Sequence, residues 1–223
     1  MEDAALFPRI RNELFTAVIG DVLDVMGHRH QFLPPGLAPL QPGQRLVGRA
    51  MPVLEAAYPE GAGAGPLADQ PFGVMFQALD DLKPGEIYIA SGASLDFALW
   101  GGLMSTRAQV LGAAGAILDG YVRDTSEIRS LGFPVFSRGA YAQDQGVRGK
   151  VLDFRTPIQI GAVQVQNGDL IVADDEGVLI VPRDVEAEAI AAAFEKAATE
   201  NRVATAIRAG MSSQEAFATF GVM

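Results

Sequence analysis

The chain has 223 residues, 49% hydrophobic and 20% charged, proportions that suit one large globular unit with a substantial core. A net charge of −10 and a pI near 4.6 argue against direct RNA or DNA binding, which needs a basic face, so no nucleic-acid partner is expected. With no cysteine, disulfides, thiol nucleophiles, zinc–thiolate centres and iron–sulfur clusters are excluded.

The start, Met1-Glu2-Asp3, is acidic and lacks the basic-then-apolar order of a signal peptide. No uncharged apolar run is long enough to span a bilayer, so a cytoplasmic protein with no membrane partner is expected. Ile10, Leu14, Val18, Val22 and Met26 recur every fourth position, one face of a helix that stops at Gly27. Thr16 offers an alternative, as the cap of a second helix beginning there. His28 and His30 have the spacing that shares one face of a strand; no third ligand accompanies them, and the expectation is solvated or hydrogen-bonded histidines.

Pro34 to Gly43 reads as loop and Leu46 to Val53 as a strand. Gly61 to Gly65, followed by Pro66, opens no helix and reads as a mobile loop, not a phosphate cradle. Lys83-Pro84-Gly85-Glu86 turns into a strand from Ile87 to Ala90. A helix is expected over about Phe97 to Leu111, a buried strand at Ala116–Leu118, a short helix at Thr125–Leu131, and another strand from Pro134. From Val151 the pattern is strand-like and rich in hairpins, with Asn167-Gly168 and Asp174–Gly177 as turns. Val185 to Ala209 reads as a long helix, the expected assembly element.

Two local features carry chemistry. Gly101-Gly102 stands at the start of an apparent helix, where free backbone N–H groups and a positive dipole end suit a carboxylate. Arg123-Asp124 follows a strand where the chain leaves a sheet, the place at which α/β sheets collect ligands. There Arg grips a carboxylate and Asp holds a hard cation. The competing reading is a capping box, with Asp124 as N-cap and Glu127 three residues on, and Arg123 as a surface charge. Local sequence alone favours the cap. Trp100 reads as a packing residue, with the wall of a pocket beside Gly101 as the alternative.

Three runs stand in order: Trp100-Gly-Gly-Leu-Met-Ser-Thr106, Asp119-Gly-Tyr-Val-Arg-Asp124 and Leu131-Gly-Phe-Pro-Val-Phe-Ser-Arg-Gly139. Together with Thr16–Asp24 and Asn167–Pro182 they resemble the family shared by the regulator of ribonuclease E activity A and the 4-hydroxy-4-methyl-2-oxoglutarate/4-carboxy-4-hydroxy-2-oxoadipate aldolases. The resemblance implies an α/β fold, a swivelling β/β/α sandwich over residues 1–183. It also implies a C-terminal helical extension, 184–223, packing on a neighbouring subunit of a homotrimer or hexamer with intersubunit active sites.

In the aldolase branch Asp124 matches the aspartate that binds Mg²⁺ (or Mn²⁺), and Arg123 the arginine on the pyruvyl group. Gly101, Gly102, Leu103 and Met104 form the substrate-binding segment, the amides of Leu103 and Met104 receiving the carboxylate. Glu200, or Glu195 as second choice, matches an acidic residue that reaches the neighbouring subunit's metal through water. Many members carry Asp or Glu where this chain has Gly102, so the substrate is a point of departure. The resemblance therefore implies a metal-dependent lyase that cleaves a 4-hydroxy-2-oxo acid to pyruvate and decarboxylates oxaloacetate, with no Schiff-base lysine. The alternatives are a non-enzymatic inhibitor of a ribonuclease and a metal-enolate lyase for a sugar-derived 2-oxo acid.

Overall fold

The computed structural model describes residues 3–58, 67 and 69–222; the glycine-rich stretch at 61–65 lies outside them. Helix α1 (Asp3–Glu13) and helix α2 (Thr16–Val25) are separate, because Phe15 between them is extended at φ −140° and ψ 163°. Thr16 opens α2 without capping it. Its own amide and hydroxyl donate to the two carboxylate oxygens of Asp174, both at 2.8 Å, so a strand 158 residues away satisfies the helix start. His28 and His30 lie in irregular chain and not in a strand, since among the described residues no β-bridge forms after Gly27 before that of Phe32 with Leu179.

The elements that follow are β1 (Ala38–Pro39), β2 (Leu46–Ala57), α3 (Met75–Asp80) and β3 (Glu86–Ser91). The helix expected over about 97–111 is in fact a strand, β4 (Ala98–Trp100), and a shorter helix, α4 (Gly102–Val110). Extended Gly101 separates the two. Then come β5 (Gly115–Leu118), β6 (Tyr121–Val122), α5 (Thr125–Leu131) and β7 (Val135–Ser137). The rest is β8 (Gly149–Phe154), β9 (Ile158–Ile160), β10 (Val163–Val165), β11 (Leu170–Asp174), β12 (Gly177–Val181), α6 (Glu186–Arg208) and α7 (Ser213–Phe220). The short helices α3 and α7 were not anticipated; α7 carries a full capping box between Ser212 and Glu215.

The main sheet runs β1-β7-β5-β3-β2-β11-β12, with β8 also on β2. Strands β2, β3, β5 and β7 are mutually parallel, and β1, β8, β11 and β12 join antiparallel. The parallel strands are buried on both faces, by helices on one and by a β-hairpin on the other. On one face Met51, Val53, Tyr88 and Leu118 pack with Trp100, Ala108 and Ile128 beneath α3, α4 and α5. The same side of β11 and β12 meets α1, α2 and α6 through Leu170, Leu179, Val18 and Ile190. The opposite face is closed by the β9–β10 hairpin, whose Ile158, Ile160, Val163 and Val165 cover Ile87, Ile117 and Ile171. This helix, sheet and hairpin layering is the expected α/β sandwich.

The first half of α6 belongs to this core: Ala189, Ile190, Ala193 and Ala197 are buried against the chain's own α2. No helix of the described residues is long and apolar enough to cross a membrane.

Candidate active site

Two short strands leave the carboxyl ends of the main sheet side by side. β4 and β6 pair in parallel, Ala98 opposite Tyr121 and Trp100 opposite Val122. Their ends therefore deliver Gly101 and Arg123 to the same place, with the Arg123 amide donating to the Trp100 carbonyl at 2.9 Å. Trp100 anchors this corner. Its ring is buried between Tyr88 (centroids 4.9 Å apart) and Phe133 (6.2 Å), and its Nε1 donates to Ser105 Oγ at 2.6 Å. Burying a side chain of this size stabilises the corner by roughly 2–3 kcal/mol, so the loop beyond it starts from a fixed point.

Asp124 occupies the N-cap position of α5, yet it makes no cap. Its backbone is left-handed at φ 57° and ψ 36°, and no side-chain hydrogen bond reaches its own helix. The carboxylate instead accepts the Gly102 amide, at the start of α4, through Oδ2 at 3.0 Å. Aspartate is one of the few side chains at ease in this conformation, and the turn aims it across to the neighbouring helix. The capping box of Asp124 and Glu127 is thus not formed. Oδ1 takes no hydrogen bond from the described residues.

Glu127 stands one turn along α5, its carboxylate against Gly102. A Cβ added to Gly102 would overlap Glu127 Oε2, and one added to Gly101 would lie 2.8 Å from Asp124 Oδ2. Glycine at both positions is what lets two carboxylates approach this helix start. The amides of Leu103 and Met104 belong to the same first turn, ahead of the first intrahelical bond from Ser105 to Gly101, and no side chain caps them.

The Arg123 guanidinium is held by Asp144, Nη1 to Oδ1 at 3.1 Å, and lies 3.8 Å from Asp124 Oδ2. All three side chains are between two-fifths and half exposed, so they are open to a ligand. A cleft of about 320 Å³ runs from these charges to an apolar wall on α3, formed by Met75, Phe76 and Leu79. Gln145 also lines it; the residue is buried, its Nε2 meets Met75 Sδ at 3.6 Å, and its amide oxygen has no partner among the described residues.

Gly101, Leu103, Met104, Arg123 and Asp124 therefore line one cleft, with Gly102 at its edge. Glu200 and Glu195 are not brought there. Glu200 pairs with Lys196 at 3.3 Å beside a different hollow, near Asn12 and Phe15. Sequence reasoning missed Asp144 and Gln145, which have no local motif, and took Glu127 only as a capping residue. Among the described residues no three His, Cys, Asp or Glu side chains group tightly enough to cage a metal. The donor set is one carboxylate with a free oxygen and a second carboxylate nearby. Asp124, with Glu127 nearby, would suit a hard cation that keeps much of its water, as Mg²⁺ commonly does.

A second polar feature lies deeper. Glu55 on β2 is fully buried with neither carboxylate oxygen hydrogen-bonded among the described residues, and burial pushes its pKa up to about 8. The Tyr88 hydroxyl is buried as well and has no partner among the described residues, its pKa raised by desolvation and then by Glu55.

Comparison with known proteins places this geometry. Residues 16–180 match the RraA-like family model, described as Aldolase/RraA. The protein DlpA of Legionella pneumophila is 30% identical over 202 residues, a match that covers 90% of this chain and 31% of DlpA's length. A 4-hydroxy-4-methyl-2-oxoglutarate aldolase of Thermus thermophilus is 30% identical over 107 residues, 48% of this chain and 65% of that one. The chain thus spans under a third of one relative and just under two thirds of the other. A crystal structure of an uncharacterized protein from Pseudomonas syringae superposes with a TM-score of 0.83 at 28% identity, covering 98% of this chain and 95% of that one. Nearly three quarters of the chain, including every element that builds the cleft, matches a single family model, and so the chain belongs to the RraA-like family.

Proposed function

We propose that this protein is a divalent-metal-dependent carbon–carbon lyase that cleaves a 4-hydroxy-2-oxo acid to pyruvate, with oxaloacetate decarboxylation as a related reaction of the same site. The observation that carries this reading is the convergence of the Asp124 carboxylate, the Arg123 guanidinium and the Leu103 and Met104 amides of the first turn of α4 on one cleft. A cation at Asp124, Mg²⁺ or Mn²⁺, supplies Lewis-acid stabilisation of negative charge on the 2-oxo oxygen.

The chain's own groups do the rest. The amides of Leu103 and Met104 bind the substrate carboxylate at the positive end of α4. Arg123, oriented by Asp144, stabilises the oxyanion as the C3–C4 bond breaks and its electrons pass to the pyruvate enolate. The C4 hydroxyl loses its proton to a water in the cleft, so that C4 leaves as a carbonyl compound. Protonation of the enolate at C3 gives pyruvate.

Glu200 of the partner subunit is proposed to approach the metal through water in a homotrimer or hexamer, with the distal part of α6 and α7 as the extension that packs there. Exposed Phe76, Leu103 and Val110 give the region apolar surface suited to such a contact.

The test is pyruvate release, followed by a coupled assay with Mg²⁺, from oxaloacetate, 4-hydroxy-4-methyl-2-oxoglutarate and simpler 4-hydroxy-2-oxo acids. Activity abolished by EDTA and by Asp124→Ala supports the reading. Full activity in Asp124→Ala, or no pyruvate from any acid, rejects it and favours the family's non-catalytic role.

A further inference from the structure

We propose that the hollow between α1 and the first half of α6 is a second ligand site, separate from the cleft, and that it takes a small monocarboxylate with an alkyl or aryl body. The proposal does not depend on the lyase reading. The hollow measures about 470 Å³, a size common among small-molecule sites, and three arginines, Arg9, Arg49 and Arg183, stand in its lining. It lies at the other end of the sheet from the cleft. Arg49 is opposite Glu86, the first residue of β3, whereas β4 and β6 carry the cleft beyond the carboxyl ends of the strands.

The gathering of arginines is unusual in a chain of net charge −10, and the three differ in how far they are neutralised. Arg49 is saturated, since it donates to both carboxylate oxygens of Asp3 and both of Glu186. Arg9 gives Nε to Glu13 at 3.1 Å and sits over the Phe194 ring, 3.8 Å from its centroid; its terminal nitrogens make no hydrogen bond among the described residues. Arg183 is exposed. Its amide is held by Asp169, but its guanidinium has neither a hydrogen bond nor an ion pair among the described residues. Asp184 and Glu188, its neighbours in sequence, do not line the hollow.

What remains for a ligand is one free guanidinium and the outer edge of a second, which suits a single carboxylate. A dianion would face Glu186 and Glu13 with no further free cation to offset them. The rest of the wall is apolar. Leu6 comes from α1, Ile190 and Phe194 come from α6, and Ala187 and Ala191, one turn apart on α6, leave the space open. An alkyl or aryl body is stabilised against these walls, and an aromatic one extends the stack of Arg9 on Phe194. A strongly polar body would lose its hydration there without new partners.

The probe is 4-(4-fluorophenyl)butanoate, titrated into the full chain and followed by fluorine NMR. The expected Kd is about 1 mM or tighter, with a rise in melting temperature as the acid saturates. The matching neutral amide should bind at least about tenfold more weakly. Arg183→Ala and Ala191→Glu, both at exposed positions, should each weaken the acid about tenfold while the free chain melts as before. Arg123→Ala should leave the Kd unchanged. Absence of binding up to about 10 mM overturns the proposal, as does equal affinity for the amide. An affinity unmoved by Arg183→Ala or by Ala191→Glu overturns it too, and a loss confined to Arg123→Ala would put the probe in the cleft instead.

Discussion

The Gly102 amide donates to Asp124 Oδ2 at 3.0 Å, so the carboxylate that local sequence assigns to its own helix is held at the start of the neighbouring one. This bond fixes one oxygen of Asp124 and leaves the other without a hydrogen bond from the described residues, open to the proposed cation. Asp124→Asn keeps the left-handed backbone and the acceptor but removes the charge. We expect kcat/KM to fall on the order of 10³-fold and Mn²⁺ binding by calorimetry to be lost, with little change in melting temperature. Retained Mn²⁺ affinity would place the cation elsewhere.

Gly102 and Glu127 occupy adjoining space, and a side chain on the glycine would collide with the Glu127 carboxylate. Gly102→Asp should destabilise the fold by about 1–2 kcal/mol, through overpacking and like-charge repulsion. Adding Glu127→Ala in the same chain should recover most of that loss. Urea denaturation of the three variants reads it; additive effects in the double variant would show that the two positions do not interact.

Arg123 is oriented by Asp144 across a 3.1 Å ion pair in which both side chains are about two-fifths exposed. Asp144→Asn keeps a hydrogen-bond acceptor but lets the guanidinium wander, and kcat/KM should fall about tenfold. Arg123→Lys, whose point charge cannot keep both the Asp144 contact and a planar set of donors on the oxyanion, should lose about 10²-fold or more. Steady-state kinetics distinguish the two; equal losses would mean that Asp144 does more than orient.

Glu55 is a buried acid with a folded-state pKa raised to about 8 from 4.5 by desolvation. The folded state therefore binds the proton more tightly than the unfolded state. The corresponding stability is fully present below about pH 4.5 and is lost as pH rises towards 8, up to about 5 kcal/mol in all. Glu55→Gln removes the titrating group at nearly constant shape. Its denaturation free energy should be flatter than the parent's between pH 5 and pH 8, and parallel pH profiles would contradict the assignment.

Much of the architecture is written in local pattern. Short apolar runs bounded by turn residues mark β2, β3 and β5, alternation marks the hairpins after Val151, and the Ala- and Glu-rich run marks α6. The motif from Trp100 to Gly139 names the segment that forms the cleft. These features are readable because they depend on side-chain periodicity and on backbone preferences of glycine and proline, which act over a few residues.

Tertiary structure alone decided the rest. Whether Asp124 caps its own helix or crosses to Gly102 depends on β4 and β6 pairing in parallel, a contact across 22 residues of chain. The same pairing ends a strand at Trp100 where periodicity suggested continuous helix. Asp144 and Gln145 join the cleft, and Asp174 caps α2, only because sheet and helices bring distant positions together. Local pattern sets which residues are available for chemistry, Arg123 and Asp124 foremost. The packing decided what they face, because the free energy that orients a half-exposed charge comes from partners that no local pattern encodes.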